Sequence, residues 1–223
     1  MATVHAPKPP SEQRIVLSCI DWPTYLVFSD RLGDRHVRVT YNRGEMELMT
    51  LSPGHERWKH LLVLLLAVLA EEMELEMAGF ASMTCRREDL DRGLEPDECY
   101  WIANARLLHG RQFVDLTKDP PPDLVLEVEI SRSFLDRLSI CAALKVPEVW
   151  RWDGQTLRVC LLGTDGQYVE SNRSKAFPFL AMAELTRFLV LGTTMDEGKL
   201  LRTFRTWVRE QVARGWQSDT PAQ

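Results

Sequence analysis

The chain lacks a long apolar run, a basic excess and any close pair of cysteines, and each absence removes a class of protein. The longest uninterrupted apolar stretch, Leu61 to Ala70, is about half a membrane span. The amino terminus, Met-Ala-Thr-Val-His-Ala-Pro-Lys-Pro-Pro-Ser, carries no apolar core of an export signal. The expectation is therefore no membrane partner, no export and a cytoplasmic location. A net charge of -5 gives no global electrostatic footprint for nucleic acid. Cys19, Cys85, Cys99, Cys141 and Cys160 are odd in number, widely spaced and without a C-x-x-C pair, which argues against a zinc site or a disulfide framework. They read as reduced thiols.

What is present is an ordinary globular composition, 45% hydrophobic and 26% charged over 223 residues, enough for one domain with a full core. Residues 1–13, rich in proline and polar groups, are expected to form a disordered lead. Residues 14–190 form the expected domain, and residues 191–223 a C-terminal helical extension. His36–Tyr41 and Glu45–Thr50 alternate in polarity around Asn42-Arg43-Gly44, which predicts a β-hairpin. Ser52-Pro53-Gly54 breaks the strand, and apolar residues at helical spacing predict a helix from His55 to about Met77, ended by Gly79.

Strands are expected at 80–85, 98–103 and 124–130, then a helix opening at Ser133 and running to about Leu144. A meander from Val149 to Glu170 and helices at 181–189 and 200–213 follow. This is a mixed α/β (α+β) class, a mixed sheet flanked by helices. The terminal helix has one apolar face, suited to docking on its own domain or on a second copy, so a homodimer stays open.

The most informative stretch is Pro120-Pro-Pro-Asp-Leu-Val-Leu-Glu-Val-Glu-Ile130. With side chains alternating at period 2, Leu124, Leu126, Val128 and Ile130 take one face, while Val125, Glu127 and Glu129 take the other. Asp97, in Pro96-Asp97-Glu98, opens the preceding strand. Three acids could thus converge on one cation, and carboxylates holding Mg²⁺, with Mn²⁺ as substitute, are what phosphodiester hydrolysis uses. Acids on the solvent face of a half-buried strand are also commonplace.

Several separated motifs occur in a fixed order: Gly44-Glu-Met-Glu-Leu-Met49, Ser52-Pro-Gly-His-Glu56, Arg86–Tyr100, Pro121–Val128 and Val146-Pro-Glu-Val-Trp-Arg151. Together, across roughly residues 25–190, they resemble the Uma-two family of restriction-endonuclease-like proteins. The resemblance implies a PD-(D/E)xK core with an N-terminal β-hairpin extension and magnesium, and says much less about substrate; the leading expectation is a magnesium-dependent endonuclease acting on DNA. The resemblance implies that Asp97 and Glu127 are the metal-binding catalytic acids.

It also places the family's lysine in the following helix, in a segment like Ser-x-x-x-Asp-Lys-Leu-x-Ile-Tyr. Here that segment is Ser131–Cys141, so Arg137 stands for the lysine and Cys141 for the tyrosine. Lys145 stands where the family usually has glycine. Arginine can stabilise developing phosphoryl charge but cannot accept a proton, so weakened hydrolysis is expected.

Around these catalytic candidates, Glu47, His55 and Glu129 are expected to support the site. Glu47 lies on the polar face of its strand, where it serves either the fold or the site. His55 either positions a water or is a surface group at a helix start. Arg86, Arg87 and Arg92 suit phosphate contacts or an ordinary solvated loop, Asp123 suits a turn, and Trp150 with Trp152 suits the core more than base stacking. Two competing readings stay open: a non-catalytic relative kept as a nucleic-acid or protein interaction module, and an enzyme on small phosphorylated metabolites.

Overall fold

The computed structural model describes residues 12–32, 36–81 and 83–216, so most of the expected lead at 1–13 lies outside the described residues. The elements in chain order are β1 (Arg14–Leu17), α1 (Trp22–Leu32), β2 (Val37–Asn42), β3 (Glu45–Thr50), α2 (Pro53–Glu72), β4 (Ala78–Ala81), β5 (Cys85–Arg87), β6 (Arg92–Leu94), β7 (Glu98–Trp101), β8 (Leu124–Val128), α3 (Arg137–Ala143), β9 (Glu148–Trp152), β10 (Leu157–Leu162), β11 (Tyr168–Ser171), α4 (Met182–Leu191) and α5 (Glu197–Ala213). They form two sheets. A five-stranded antiparallel sheet has the order β1-β3-β2-β6-β5, and a six-stranded sheet has the order β11-β10-β9-β8-β7-β4. The β8–β9 pair is parallel, with α3 as its crossover.

The β2–β3 hairpin forms as the sequence suggests. Arg43 and Gly44 both take positive φ (50° and 87°), the geometry a two-residue hairpin turn needs. Helix α2 begins at Pro53, two residues before the expected start, because the Ser52 hydroxyl caps the His55 N–H at 3.2 Å.

The same helix ends earlier than Gly79. Glu74 turns left-handed (φ 51°), while the Leu75 and Glu74 N–H groups donate to the carbonyls of Ala70 and Glu71. These bonds form a Schellman stop without glycine. Gly79 sits instead in β4, where an added Cβ would lie 2.9 Å from the Tyr100 ring. The expected strand at 80–85 is two strands in different sheets, β4 in the larger and β5 in the smaller.

The expected helix start at Ser133 is corrected too. Ser133 Oγ and the Phe134 N–H are drawn to the Glu47 carboxylate of the other sheet, which keeps 131–136 out of helical conformation. Asp136 then caps α3 through the Ser139 N–H at 3.1 Å. A second Schellman stop closes α3, with Lys145 left-handed (φ 63°) and the Val146 N–H on the Cys141 carbonyl. Glycine costs least at such a position, and lysine there is strained.

The main core lies between the larger sheet and three helices. Leu61, Leu62, Leu65 and Leu69 of α2 meet Leu124, Leu126 and Val128 of β8, Trp150 and Trp152 of β9, and Phe204 and Val208 of α5. Helix α5 therefore covers its apolar face on its own chain, and the two tryptophans are core residues. The opposite face of the larger sheet packs Val125, Val149, Trp101 and Cys99 against Ile140 and Cys141 of α3. A third cluster, in which Tyr25 stacks on Tyr41 at 4.7 Å, fixes α1 to the smaller sheet. No helix among the described residues is long and apolar enough to cross a membrane.

Candidate functional site

Strand β7 pairs with β8 in the register Glu98↔Leu126, and one step further puts Asp97 opposite Glu127. Beyond the end of β7 the Val128 N–H has no strand partner on that side, and Asp97 Oδ2 accepts it at 2.7 Å. Asp97 Oδ1 accepts from His55 Nε2 at 2.8 Å and lies 3.7 Å from Arg38 Nε. Burial pushes the Asp97 carboxyl up, but His55, the Val128 N–H and Arg38 outweigh it and hold the group below the usual carboxylate range.

Glu127 is engaged by Arg137, the first residue of α3. Arg137 Nη2 donates to both Glu127 oxygens, at 2.7 and 2.8 Å, and to the Glu95 carbonyl at 2.9 Å, while Nη1 donates to Thr40 Oγ1. Asp97, Glu127 and Arg137 are 2%, 4% and 8% exposed, so this contact is made away from bulk water. Burial raises the Glu127 carboxyl to about 7, with Arg137 opposing the rise and Asp97 adding to it. Arg137 stays a cation throughout, because burial is outweighed by the charge of Glu127.

His55 is fully buried in the first turn of α2, with Nδ1 2.7 Å from Glu12 Oε1 and Nε2 on Asp97. Burial disfavours the charged ring, yet the two carboxylates raise its pKa to about 9, so both nitrogens carry protons at neutral pH. Glu12 also accepts from Ser131 Oγ, and Arg14 joins Ser131 to Glu47. These contacts tie the N-terminal segment to the loop that precedes Arg137.

The expected residues thus divide. Asp97, Glu127, Arg137 and His55 meet in one buried network. Glu47 stands beside it, holding Arg14, Ser133 and the Phe134 N–H. Glu129 is not brought in. The strand ends at Val128, and the Glu129 carboxylate pairs with Arg151 Nε at 2.9 Å at the partly exposed rim. Arg86 and Arg87 pair with Asp30 and Asp89, and Arg92 donates to the Ser139 carbonyl, so all three are engaged within the fold. Asp123 caps the Ile102 and Ala103 N–H groups and stops β7.

Glu12, Arg14, Arg38, Thr40 and Glu95 also belong to the network, and no motif marks them. Arg38 and Thr40 alternate on one face of β2, the only local signal that existed. Glu98, beside this network, has Lys59 at 3.9 Å, and burial pushes its carboxyl up to about 7 against the opposing charges of Lys59 and Arg38.

Two carboxylates are the right donors in kind for magnesium or manganese. As placed they do not fit one. Both Glu127 oxygens face Arg137, both Asp97 oxygens face protein N–H groups, and no group of three or more His, Cys, Asp or Glu suited to a metal exists among the described residues. A dication about 4 Å from the Arg137 guanidinium would meet roughly 8 kcal/mol of repulsion at an effective dielectric near 20. A surface cleft of about 440 Å³ is lined by Glu129, Arg151 and residues 130–138, so it reaches Arg137 but not Asp97 or Glu127.

A mixed sheet thus brings together an acid at the mouth of β7, an acid on the neighbouring β8 and a cation from the first turn of the crossover helix. The chain belongs to the Uma2 family, described as "Putative restriction endonuclease", which it matches over residues 22–197. A solved structure of a putative nuclease belonging to DUF820 from Anabaena variabilis is similar at 15% identity and a TM-score of 0.47. That match covers 68% of this chain and 90% of the other. No curated protein matches the chain at a significant level.

Proposed function

We propose that this chain is directed at nucleic acid, with DNA as its substrate class, and that its endonucleolytic hydrolysis of phosphodiester bonds is held low by Arg137. The observation that carries this reading is the meeting of Asp97, Glu127 and Arg137, from three separate segments, in one buried spot. Family membership supplies the nuclease class. Arg137 can offer charge to a phosphoryl oxygen but cannot take a proton from water, and loss of one aligned catalytic group costs on the order of 10²–10³ in rate.

The test is cleavage of mixed DNA and RNA substrates in Mg²⁺ and in Mn²⁺ by the wild type, Arg137→Lys and Glu127→Ala. The expected result is slow cleavage of DNA by the wild type, roughly 10²-fold faster cleavage by Arg137→Lys, and none by Glu127→Ala. Equal products from the wild type and Glu127→Ala would remove the site. The double contact of Arg137 with Glu127 favours a second reading, a non-hydrolytic interaction module, which predicts DNA binding without cleavage even in Arg137→Lys.

A further inference from the structure

We infer that Arg137 is the resident cation of this site, and that in the resting, DNA-free protein it, rather than a divalent metal, neutralises the Asp97–Glu127 pair. The inference deepens the proposed function by naming what controls its site, and it rests on that reading only in treating these acids as the reaction centre. Three features carry it.

Arg137 Nη2 lies nearly equidistant from the two Glu127 oxygens, 2.7 and 2.8 Å, along the direction in which a cation would chelate that carboxylate. The guanidinium is also held from the other sheet. Thr40 Oγ1 and the Glu95 carbonyl accept from it, and Asp136 caps the helix one residue earlier, so the side chain cannot leave Glu127 without breaking contacts that belong to a different layer. A lysine on its flexible four-carbon stem has a single point of attachment and can give way to an entering ion. The planar fork of arginine, anchored at several points, cannot do so at the same cost.

Asp97 independently has both oxygens engaged by donors. His55 and the Val128 N–H take both, and His55 is itself held from behind by Glu12. Arg38 Nε also stands 3.7 Å from Asp97 Oδ1, and among the described residues its Nε and Nη2 have no hydrogen-bond partner. A dication arriving at Asp97 would therefore displace one cation and face another.

The experiment uses the full chain without DNA, so failure of cleavage has no bearing on it. Thermal unfolding is followed with Mn²⁺ and with NaCl of equal ionic strength, for the wild type, Glu127→Gln, Arg137→Ala and the Arg137→Ala/Glu127→Gln double variant. The wild-type midpoint should be the same in both salts. Arg137→Ala should melt lower and recover several degrees in Mn²⁺, with the recovery lost in the double variant. A wild-type rise with Mn²⁺ that Glu127→Gln abolishes would overturn the inference. So would a folded Arg137→Ala that gains no Glu127-dependent response.

Should Arg137→Ala not fold, the wild type decides by the electron paramagnetic resonance signal of free Mn²⁺. A signal that equimolar wild-type protein leaves as large as Glu127→Gln leaves it supports the inference. A smaller signal with the wild type than with Glu127→Gln overturns it.

Discussion

The two faces of β8 hold the chain together by opposite means. Leu124, Leu126 and Val128 enter an apolar core with α2 and α5, where attraction is non-directional and spread over many neighbours. Glu127, one residue out of phase, enters a seam between the sheets where charges are satisfied one by one by Arg137, His55 and Arg38. A core of the first kind loses stability in proportion to the atoms removed. A seam of the second kind loses little if both partners go and much if one goes, because the survivor is left charged and dry.

That contrast is broken most directly at Arg137. Replacing Arg137 by Met alone should cost about 3–5 kcal/mol, while adding Glu127→Leu should return most of it; urea unfolding of the single and double variants compares the two. A single variant that unfolds like the wild type would show that the pair is not buried as described. On the apolar side, Leu65→Ala should cost about 2–5 kcal/mol, and the loss should be the same at pH 6 and pH 9, since no titrating group touches the outcome.

The seam, unlike the core, should respond to pH. The His55 pKa is raised from 6.5 to about 9 in the folded protein, so its contribution is fully present below pH 6.5 and disappears as pH rises through 9. A shift of that size corresponds to about 3 kcal/mol, and His55→Asn should flatten this limb of the stability-against-pH curve. If the curve between pH 6.5 and 9 keeps its slope in the variant, the charged His55 is not its source. The smallest effect lies outside both regions. Lys145→Gly should raise stability by about 0.5–1 kcal/mol, visible as a melting point a few degrees higher, because glycine accepts the left-handed backbone at the α3 stop.

Much of the fold was legible because its signals are local. The β2–β3 turn, the apolar spacing of α2 and the alternation through β9 to β11 were each written within a few residues. The ends of α2 and α3 were not, because both stop on a left-handed residue, Glu74 and Lys145, that carries no conformational signature in its side chain. The first helix was missed although Asp21 caps it through the Thr24 N–H, since its length is short and its buried face is only Tyr25 and Ser29. For the site, the acids were legible as departures from an apolar strand, and Arg137 through the family's motif. Glu12, Arg38 and Glu95 were not, because they are separated from their partners by dozens of residues.

By itself the sequence determined that Asp97 and Glu127 are out of place in apolar company and that an arginine stands where the family has lysine. Only the tertiary structure decided what that arginine does. Its reach to Glu127, Thr40 and the Glu95 carbonyl joins three segments from two sheets. Whether a buried carboxylate is open to a cation or already closed by one depends on angstrom distances between such segments, which no local pattern encodes.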